Sequence, residues 1–264
     1  MRAPAAFRPV QRWRSELGPR VCPYQNPFAP ARWFFSLRLR EAIRAVGPPA
    51  SGRALEIGCW EGFFLPTLLL NYARVAAVDN DSASLVERTP ARWTILQAAR
   101  DLCVREIGDS CRLFVLKADA VELPFRNGSF HAAFCLDTLP FVMPHKRGIL
   151  VAEMRRVLRP GSPVIFALPI ELGAGLLLRE VLRKLSGTWR DGYTWREIRQ
   201  ALFGKPAAIA ERSGPTNLIE YDYRRDERLI RSEFVLRQRK FLPCNTFRWI
   251  SPTILLSCTV PKGR

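Results

Sequence analysis

The stretch that most constrains the fold is residues 53–62, RALEIGCWEG, in which a short apolar run ends at Gly58 and a second glycine, Gly62, follows. The apolar segment FFL comes directly after it. This pattern predicts a buried parallel strand, a tight turn and the start of a helix. Glycine has no Cβ, so a ligand can lie against the turn, and the first turn of the helix presents free N–H groups there. Glu56, late in the predicted strand, adds an acidic group beside the same turn.

A second apolar run ends in an acid at the spacing expected for a nucleoside ligand. The run VAAVD occupies residues 75–79, so Asp79 lies 23 residues beyond Glu56. A doubly wound fold places a carboxylate against a ribose hydroxyl pair about 20 residues after the glycine turn. We therefore predict that Asp79 contacts a ribose.

The same unit of strand followed by helix recurs along the chain. Further strands are predicted at residues 112–117, 132–136 and 164–168, the first two followed by Asp119 and Asp137. Helices are predicted at residues 63–72, 84–108 and 147–158. Five β-then-α units in series predict an open parallel sheet with helices on both faces.

The flanking segments have a different composition. Residues 1–30 are rich in Pro and Arg and predict an irregular arm, followed by a helix at 31–46. Beyond the sheet, residues 171–185 predict an amphipathic helix and residues 193–202 a second helix, capped by Thr194 with Glu197 three residues on. Two late strands are predicted at 233–237 and 253–260. The resulting domain prediction is an arm and helix (1–50), a core (51–170), a helical insertion (171–215) and closing strands (216–264).

The composition is strongly basic. The formal net charge is +17 and 35 of the 41 basic residues are Arg. Such a surface attracts polyanions, anionic lipid head groups or acidic metabolites, and a solvated Arg-rich surface without a partner is the alternative. Seven Cys form no Cys-x-x-Cys pair and only two His are present, so no metal site is predicted. The thiols and the lack of an export signal favour a cytoplasmic protein, and no apolar run reaches the ~18 residues that span a bilayer.

Four segments taken together resemble the class I S-adenosylmethionine-dependent methyltransferases: LEIGCWEG (55–62), VD (78–79), KADAVELPFRNGSF (117–130) and LRPG (158–161). Within that class the chain is similar to the type-11 group, which includes quinone-biosynthesis methyltransferases. The resemblance covers residues 50–170. It implies a Rossmann-like, doubly wound α/β fold with a mostly parallel seven-stranded sheet, S-adenosyl-L-methionine as cofactor, and methyl transfer as the reaction.

The resemblance also implies which residues bind the cofactor. By this resemblance, Glu56, Gly58 and Gly62 surround the methionine and ribose part of the cofactor, and Asp79 holds the ribose hydroxyls. Asn80, Asp119 and Ala120 adjoin the adenine, and Leu136 and Asp137 border the methionine end and the acceptor. Cys59 lies in the turn, where we expect it to pack beside the ligand rather than to react. Asp137 and His145 are the candidates for a catalytic base, if the acceptor needs one.

Two residues depart from the family pattern. Trp60 replaces the middle glycine of the turn, which it can tolerate if its φ is negative, or it narrows the pocket. His131 replaces an acid near the start of the fourth strand, and we interpret it as structural.

Three functions remain open from the sequence. The first is a methyltransferase for a small or lipid-like acceptor, with the helix at 171–185 either docked on the sheet or lying on a membrane surface. The second is an RNA methyltransferase that uses the basic surface. The third is a non-enzymatic interaction module in which Trp60 fills the cofactor space. A nicotinamide site or a P-loop is disfavoured, because Gly-x-Gly-x-x-Gly and Gly-Lys-Ser/Thr are both missing.

Overall fold

The fold was analysed in a computed structural model, which describes residues 5–10, 29–47, 52–80, 95–108, 111–185, 195–203, 221–246 and 248–262. In this part of the chain seven strands form one sheet in the order β3-β2-β1-β4-β5-β7-β6. The strands are β1 (Arg53–Ile57), β2 (Arg74–Asp79), β3 (Leu113–Lys117), β4 (Ala132–Leu136), β5 (Pro163–Pro169), β6 (Val235–Leu242) and β7 (Thr253–Thr259).

Seven α-helices are described alongside the sheet. They are α1 (Ala29–Val46), α2 (Leu65–Asn71), α3 (Ile95–Ile107), α4 (Arg147–Val157), α5 (Ala174–Leu185), α6 (Trp195–Leu202) and α7 (Tyr223–Glu233). Short 3-10 turns occupy Leu139–Phe141, Pro144–Lys146 and Arg248–Ile250.

Strand order creates a crevice beside β1. The first five strands pair in parallel, and β1 has β2 on one side and β4 on the other. The chain thus runs outward from β1 to β3 and then returns to the other side of β1 to form β4. In open α/β sheets a ligand binds at the carboxyl ends of the strands where the order reverses in this way. We call this end of the sheet the carboxyl edge.

Alternate residues of the strands enter two apolar layers, one on each face of the sheet. Leu55 and Ile57 of β1 pack with Leu150 and Met154 of α4. On the other face Ala54 packs in the cluster that includes Phe64, just before α2, and buried side chains of α2 and α3 such as Leu68 and Leu102. Both faces of a parallel sheet must be covered, which explains the nearly continuous apolar runs of these strands.

The predicted fold class is confirmed, with one missed helix. The helix α7 was not predicted, because residues 223–233 contain four Arg and few apolar side chains. Its signal was Asp222, the N-cap, whose carboxylate accepts a hydrogen bond from the Arg224 N–H at 3.0 Å. The strand predicted at 233–237 was wrong at both ends. Glu233 belongs to α7, and the strand β6 begins at Val235 and extends to Leu242. Of the predicted helix at 84–108, residues 84–94 lie outside the described residues, as does the predicted cap Thr194.

Residues 5–10 of the predicted arm lie along α2 without regular secondary structure. The Asn71 side chain accepts from the Ala6 N–H at 2.9 Å and donates to the Ala6 carbonyl at 2.7 Å. The Thr67 hydroxyl makes the corresponding pair with the backbone of Arg8, at 3.1 and 3.2 Å. Two polar side chains of a helix thus bind this extended backbone as a neighbouring strand would. The domain boundaries themselves stay predictions.

Candidate functional site

Three acids meet at the carboxyl edge, where β1, β2 and β4 end. Glu56 and Asp79 are buried, and Asp137 directly follows β4. Glu56 lies opposite Ala77 and Phe134 in the register of the neighbouring strands, so β2 and β4 flank it on both sides. Neighbouring parallel strands end at the same edge, which is why acids far apart in sequence become neighbours.

Both glycines of the turn are required by packing as well as by backbone conformation. Gly58 has φ +71°, and a Cβ there would overlap the Thr138 side chain. Thr138 is fixed in that place because its hydroxyl donates to the Ile57 carbonyl at 2.8 Å. Gly62 has φ +77°, and a Cβ there would lie 2.9 Å from the Ala99 Cβ. The sequence predicted that a group lies close against this turn, and in the structure the side chains of Thr138 and Ala99 lie there.

Trp60 adopts a left-handed backbone conformation. Its φ is +49°, so the expectation that a negative φ would accommodate it was wrong. The turn is held instead by a hydrogen bond from the Trp60 N–H to Asp79 Oδ2 at 3.0 Å. Asp137 is the other non-glycine residue with positive φ in the described part of the chain, at +57°. Such conformations cost of order 1–3 kcal/mol each and cluster at functional sites, and both occur at this crevice.

Glu56 is an acid whose pKa is strongly shifted by its surroundings. Burial raises its pKa well above the usual value, the neighbouring Asp79 raises it further, and Arg38 opposes both effects. Among the described residues, Glu56 Oε2 has no hydrogen-bond partner. A buried carboxylate without a partner is costly, so this oxygen is suited to a ligand that donates a hydrogen bond or carries positive charge.

Cys59 lies buried between these acids. Burial raises the pKa of its thiol well above the usual value, and Glu56 and Asp79 add to the effect. The thiol therefore stays protonated at neutral pH, which favours packing over reactivity.

Arg38 of α1 is a site residue that the sequence did not reveal. Its side chain is buried and forms an ion pair with Asp137. The two residues are 99 positions apart in the sequence, and α1 contains several other arginines, so nothing in the sequence distinguished Arg38 as a site residue. The crevice thus has a cation on its α1 side and acids on the sheet side.

The remaining predicted residues lie at the rim of the crevice. Asn80 is exposed, and the Asp119 side chain is 57% exposed with its carboxylate 3.5 Å from Lys146 Nζ. Ala120 and Leu136 are partly buried. His145 is exposed on the turn Pro144–Lys146. The structure therefore brings Glu56, Cys59, Asp79 and Asp137 together and places the adenine-side candidates and His145 nearer the solvent.

His131 lies at the opposite edge of the sheet. Its Nδ1 accepts a hydrogen bond from the Arg53 backbone N–H at 3.1 Å, and the backbone N–H of His131 donates to the Arg53 carbonyl at 2.8 Å. These bonds join the starts of β1 and β4, so the structural interpretation of His131 is confirmed.

The loop that follows β4 is held in place by a buried ion pair. Arg147 donates to the carbonyls of Pro140 and Val142, at 3.2 and 2.9 Å. Its guanidinium lies 3.4 Å from Asp226 Oδ1 of α7 and stacks on the Tyr221 ring at 5.2 Å. The first turn of α7 therefore helps to hold the loop that borders the crevice.

The described residues contain no group of His, Cys, Asp and Glu that could hold a metal ion. Among the helices that the structure describes, none has the length and apolarity to cross a bilayer.

Comparison with known proteins agrees with this geometry. The family model described as a methyltransferase domain matches residues 55–166. The tRNA U34 carboxymethyltransferase of Methylococcus capsulatus is 26% identical over 178 residues, an alignment that covers 66% of this chain and 48% of that protein. The chain therefore spans about half the length of this curated relative.

Two solved structures share the fold at low identity. Geranyl diphosphate C-methyltransferase from Streptomyces coelicolor A3(2), in complex with Mg2+, geranyl-S-thiolodiphosphate and S-adenosyl-L-homocysteine, aligns with a TM-score of 0.58 at 13% identity over 98% of this chain and 87% of that chain. The PH0226 protein from Pyrococcus horikoshii OT3 aligns with a TM-score of 0.57 at 17% identity over 91% and 97% of the two chains. These findings match residues 55–166 to a methyltransferase domain, and the two solved structures share the fold that the sheet order describes.

Proposed function

We propose that this chain is an S-adenosylmethionine-dependent methyltransferase that acts on a small or lipid-like acceptor. The observation that carries the proposal is the buried Glu56, whose Oε2 has no hydrogen-bond partner among the described residues and which lies at the end of the sheet where Asp79 and Asp137 also lie. A protein tolerates such a group chiefly where a ligand compensates it.

The residues of the crevice fit the charges of the cofactor. S-adenosyl-L-methionine carries a sulfonium, an ammonium, a carboxylate and a ribose diol. Glu56, by releasing the proton that burial makes it hold, would supply negative charge to one cationic group, and the ion pair of Arg38 with Asp137 would offer a cation to the carboxylate and an anion to the other cationic group. Asp79 is the acceptor for the ribose hydroxyls, because each hydroxyl can donate to a charged oxygen. Asn80, Asp119 and Ala120 border the adenine in this proposal, and Leu136 the methionine end.

The cofactor supplies an electrophilic methyl group, so the protein has mainly to align the acceptor and exclude water. The buried floor formed by Glu56 and Cys59 keeps water from that end of the crevice. The acceptor atom uses a lone pair to form the new bond to carbon, and the electrons of the carbon–sulfur bond remain on sulfur. An acceptor that must lose a proton can pass it to Asp137 Oδ1, which has no hydrogen-bond partner within the described ranges.

Transfer of a labelled methyl group tests this function. Purified protein is incubated with S-adenosylmethionine labelled in its methyl group and with separate extracts of lipids, small polar metabolites and total RNA. We expect label in the lipid or small-molecule fraction, and less of it with Glu56→Gln. Absence of label in every fraction, although the cofactor binds, would argue for the non-enzymatic interaction module.

An RNA acceptor is the second candidate. The curated relative is named as a tRNA-modifying enzyme, and α7 exposes four arginines, at positions 224, 225, 228 and 231. Arg224, Arg228 and Arg231 follow one another at helical spacing and form a stripe suited to phosphates. Label in the RNA fraction, lost when Arg228 and Arg231 are both changed to Glu, would favour this candidate over the first.

A further inference from the structure

Two elements after the parallel strands lie at the same edge as the cofactor crevice. The helix α5 begins shortly after β5 ends, and the turn Arg248–Ile250 directly precedes β7. Pro169, the last residue of β5, pairs with Thr253, the first of β7, so α5 and the turn both start from the carboxyl edge. They touch closely, because a Cβ at Gly175 would lie 2.9 Å from the Ile250 carbonyl oxygen.

These elements, with α6 packed on α5, expose large apolar side chains. Five such side chains, between 41% and 80% exposed, form what we call the edge patch: Leu178, Val181, Leu202, Phe203 and Trp249. Leu178 and Val181 are three residues apart and share one face of α5. Two further exposed apolar residues, Phe141 and Met143, follow β4 at the same edge. Large exposed apolar side chains on neighbouring elements mark a candidate site of interaction.

Basic side chains accompany the apolar ones. A hollow of about 500 Å³ between α5 and α6 is lined by Leu177, Arg196, Ile198, Arg199 and Leu202. Both arginines are exposed, and so is Arg248 of the adjoining turn. An arginine beside apolar surface can bury its stem there while its guanidinium remains in the polar layer of an interface.

We propose that the edge patch, with Arg196 and Arg199, docks the protein on the surface of an anionic lipid bilayer. Aliphatic and aromatic side chains enter the boundary between head groups and acyl chains, and arginines pair with anionic head groups. The net charge of +17 adds attraction to the same surface. Exposed Leu and Val favour this partner over nucleic acid, whose phosphates need cations and whose bases stack on aromatic rings rather than on aliphatic chains.

The consequence for catalysis rests on the proposed function. Since α5 and the turn Arg248–Ile250 both start from the carboxyl edge, docking would bring that edge, with its crevice, towards the bilayer. An acceptor dissolved in the membrane could then reach the methyl group without crossing bulk water.

Vesicle co-sedimentation of the full chain tests the docking. Wild-type protein is mixed with vesicles of phosphatidylcholine alone or of phosphatidylcholine with phosphatidylserine. We expect sedimentation mainly with the anionic vesicles, reduced about tenfold when Leu178 and Val181 are both changed to Glu, and reduced likewise by Arg196→Glu with Arg199→Glu.

Matched controls come from the far end of the sheet. Leu70, near the end of α2, is 45% exposed like Leu178 and Val181, and Arg74 is exposed at the start of β2. Leu70→Glu should leave sedimentation unchanged, and Arg74→Glu should change it far less than the two arginine changes of α6. A loss with Leu70→Glu equal to that of the Leu178/Val181 variant would overturn the proposal, as would absence of sedimentation with anionic vesicles.

Two further measurements separate this proposal from its alternatives. If total RNA displaces the protein from vesicles and the Leu178/Val181 variant still binds normally, the surface serves a polyanion and the bilayer proposal fails. Cofactor titration of the same samples keeps the docking distinct from the methyltransferase proposal. Normal cofactor binding without sedimentation rejects the docking alone, whereas sedimentation without cofactor binding rejects the proposed function and leaves the docking intact.

Discussion

At the scale of single residues, the site is built from groups that cost stability in the absence of a ligand. Trp60 and Asp137 have left-handed backbone conformations, and Glu56 is a buried acid whose pKa is raised by burial and by Asp79. Proteins retain such features where function needs them, so changes that relieve them should stabilise the protein and weaken binding.

Glu56→Gln tests this trade-off through its pH dependence. Because the pKa of Glu56 is raised, the folded state holds a proton that the unfolded chain releases near pH 4.5. The wild type therefore loses stability as pH rises above that value, and the variant does not lose this contribution. We expect the Tm of the variant to rise relative to the Tm of the wild type between pH 5 and pH 8. Each kcal/mol of difference in the free energy of unfolding corresponds to about 2–4 °C in Tm.

Thermal unfolding of both proteins at several pH values measures the difference. Glu122→Gln, at an exposed position, is the control and should show no change in that difference with pH. A difference between Glu56→Gln and wild type that stays constant from pH 5 to pH 8 would mean that Glu56 is ionised to the same extent in the folded and unfolded states.

Gly58→Ala should destabilise the protein more than a left-handed conformation alone explains. The new Cβ would overlap Thr138, and the left-handed φ adds about 1–2 kcal/mol. Gly108 is the matched control, because it has nearly the same φ, +74°, and nothing within 4 Å of its Cβ position. Denaturant unfolding should show a loss near ~1–2 kcal/mol for Gly108→Ala and a larger one for Gly58→Ala. Equal losses would show that Thr138 moves aside freely.

At the scale of elements, the parallel part of the fold could be predicted from the sequence and the charged contacts could not. Strands such as β1 and β4 are short apolar runs between turn residues, a local pattern that predicts them directly. The buried face of the helix α7 has few apolar residues and includes Asp226 and Glu227. The hydrophobic periodicity that predicts an amphipathic helix is therefore missing from this segment. The ion pair of Arg38 with Asp137 depends on how α1 packs against β5, beside the residue that follows β4, and no local pattern encodes this packing.

The two ion pairs between α4 and α7 should differ greatly in importance. Arg147 and Asp226 are largely buried, whereas the pair of Arg155 with Glu233 is partly exposed. Removing one partner of a buried pair leaves an uncompensated charge, so Asp226→Ala should cost about 3 kcal/mol. Glu233→Ala should cost less than about 1 kcal/mol. Denaturant unfolding compares the two, and similar losses would contradict the view that Arg147 and Asp226 fix the loop after β4.

At the scale of the whole molecule, the candidate site was predicted in part. Glycine turns and acids after strands are visible in the sequence, and the structure brings Glu56, Asp79 and Asp137 to one crevice. The sign of the Trp60 φ could not be predicted, because it depends on the hydrogen bond to Asp79 across two strands. The solvent exposure of the predicted acids could not be predicted either, because the sequence does not show that Asp119 is largely open to solvent while Asp79 is buried.

Calorimetric titration with S-adenosyl-L-methionine tests the central claim, that the acids of this crevice hold the cofactor. Three proteins are compared: wild type, Asp79→Ala, and Asp79→Asn, which keeps an acceptor for the Trp60 N–H and removes only the charge. The account predicts that the wild type binds and that Asp79→Ala weakens binding ten- to a hundredfold, about 1.4–2.8 kcal/mol, with a clear loss for Asp79→Asn as well. No binding by the wild type at millimolar cofactor, or unchanged affinity in both variants, would contradict it.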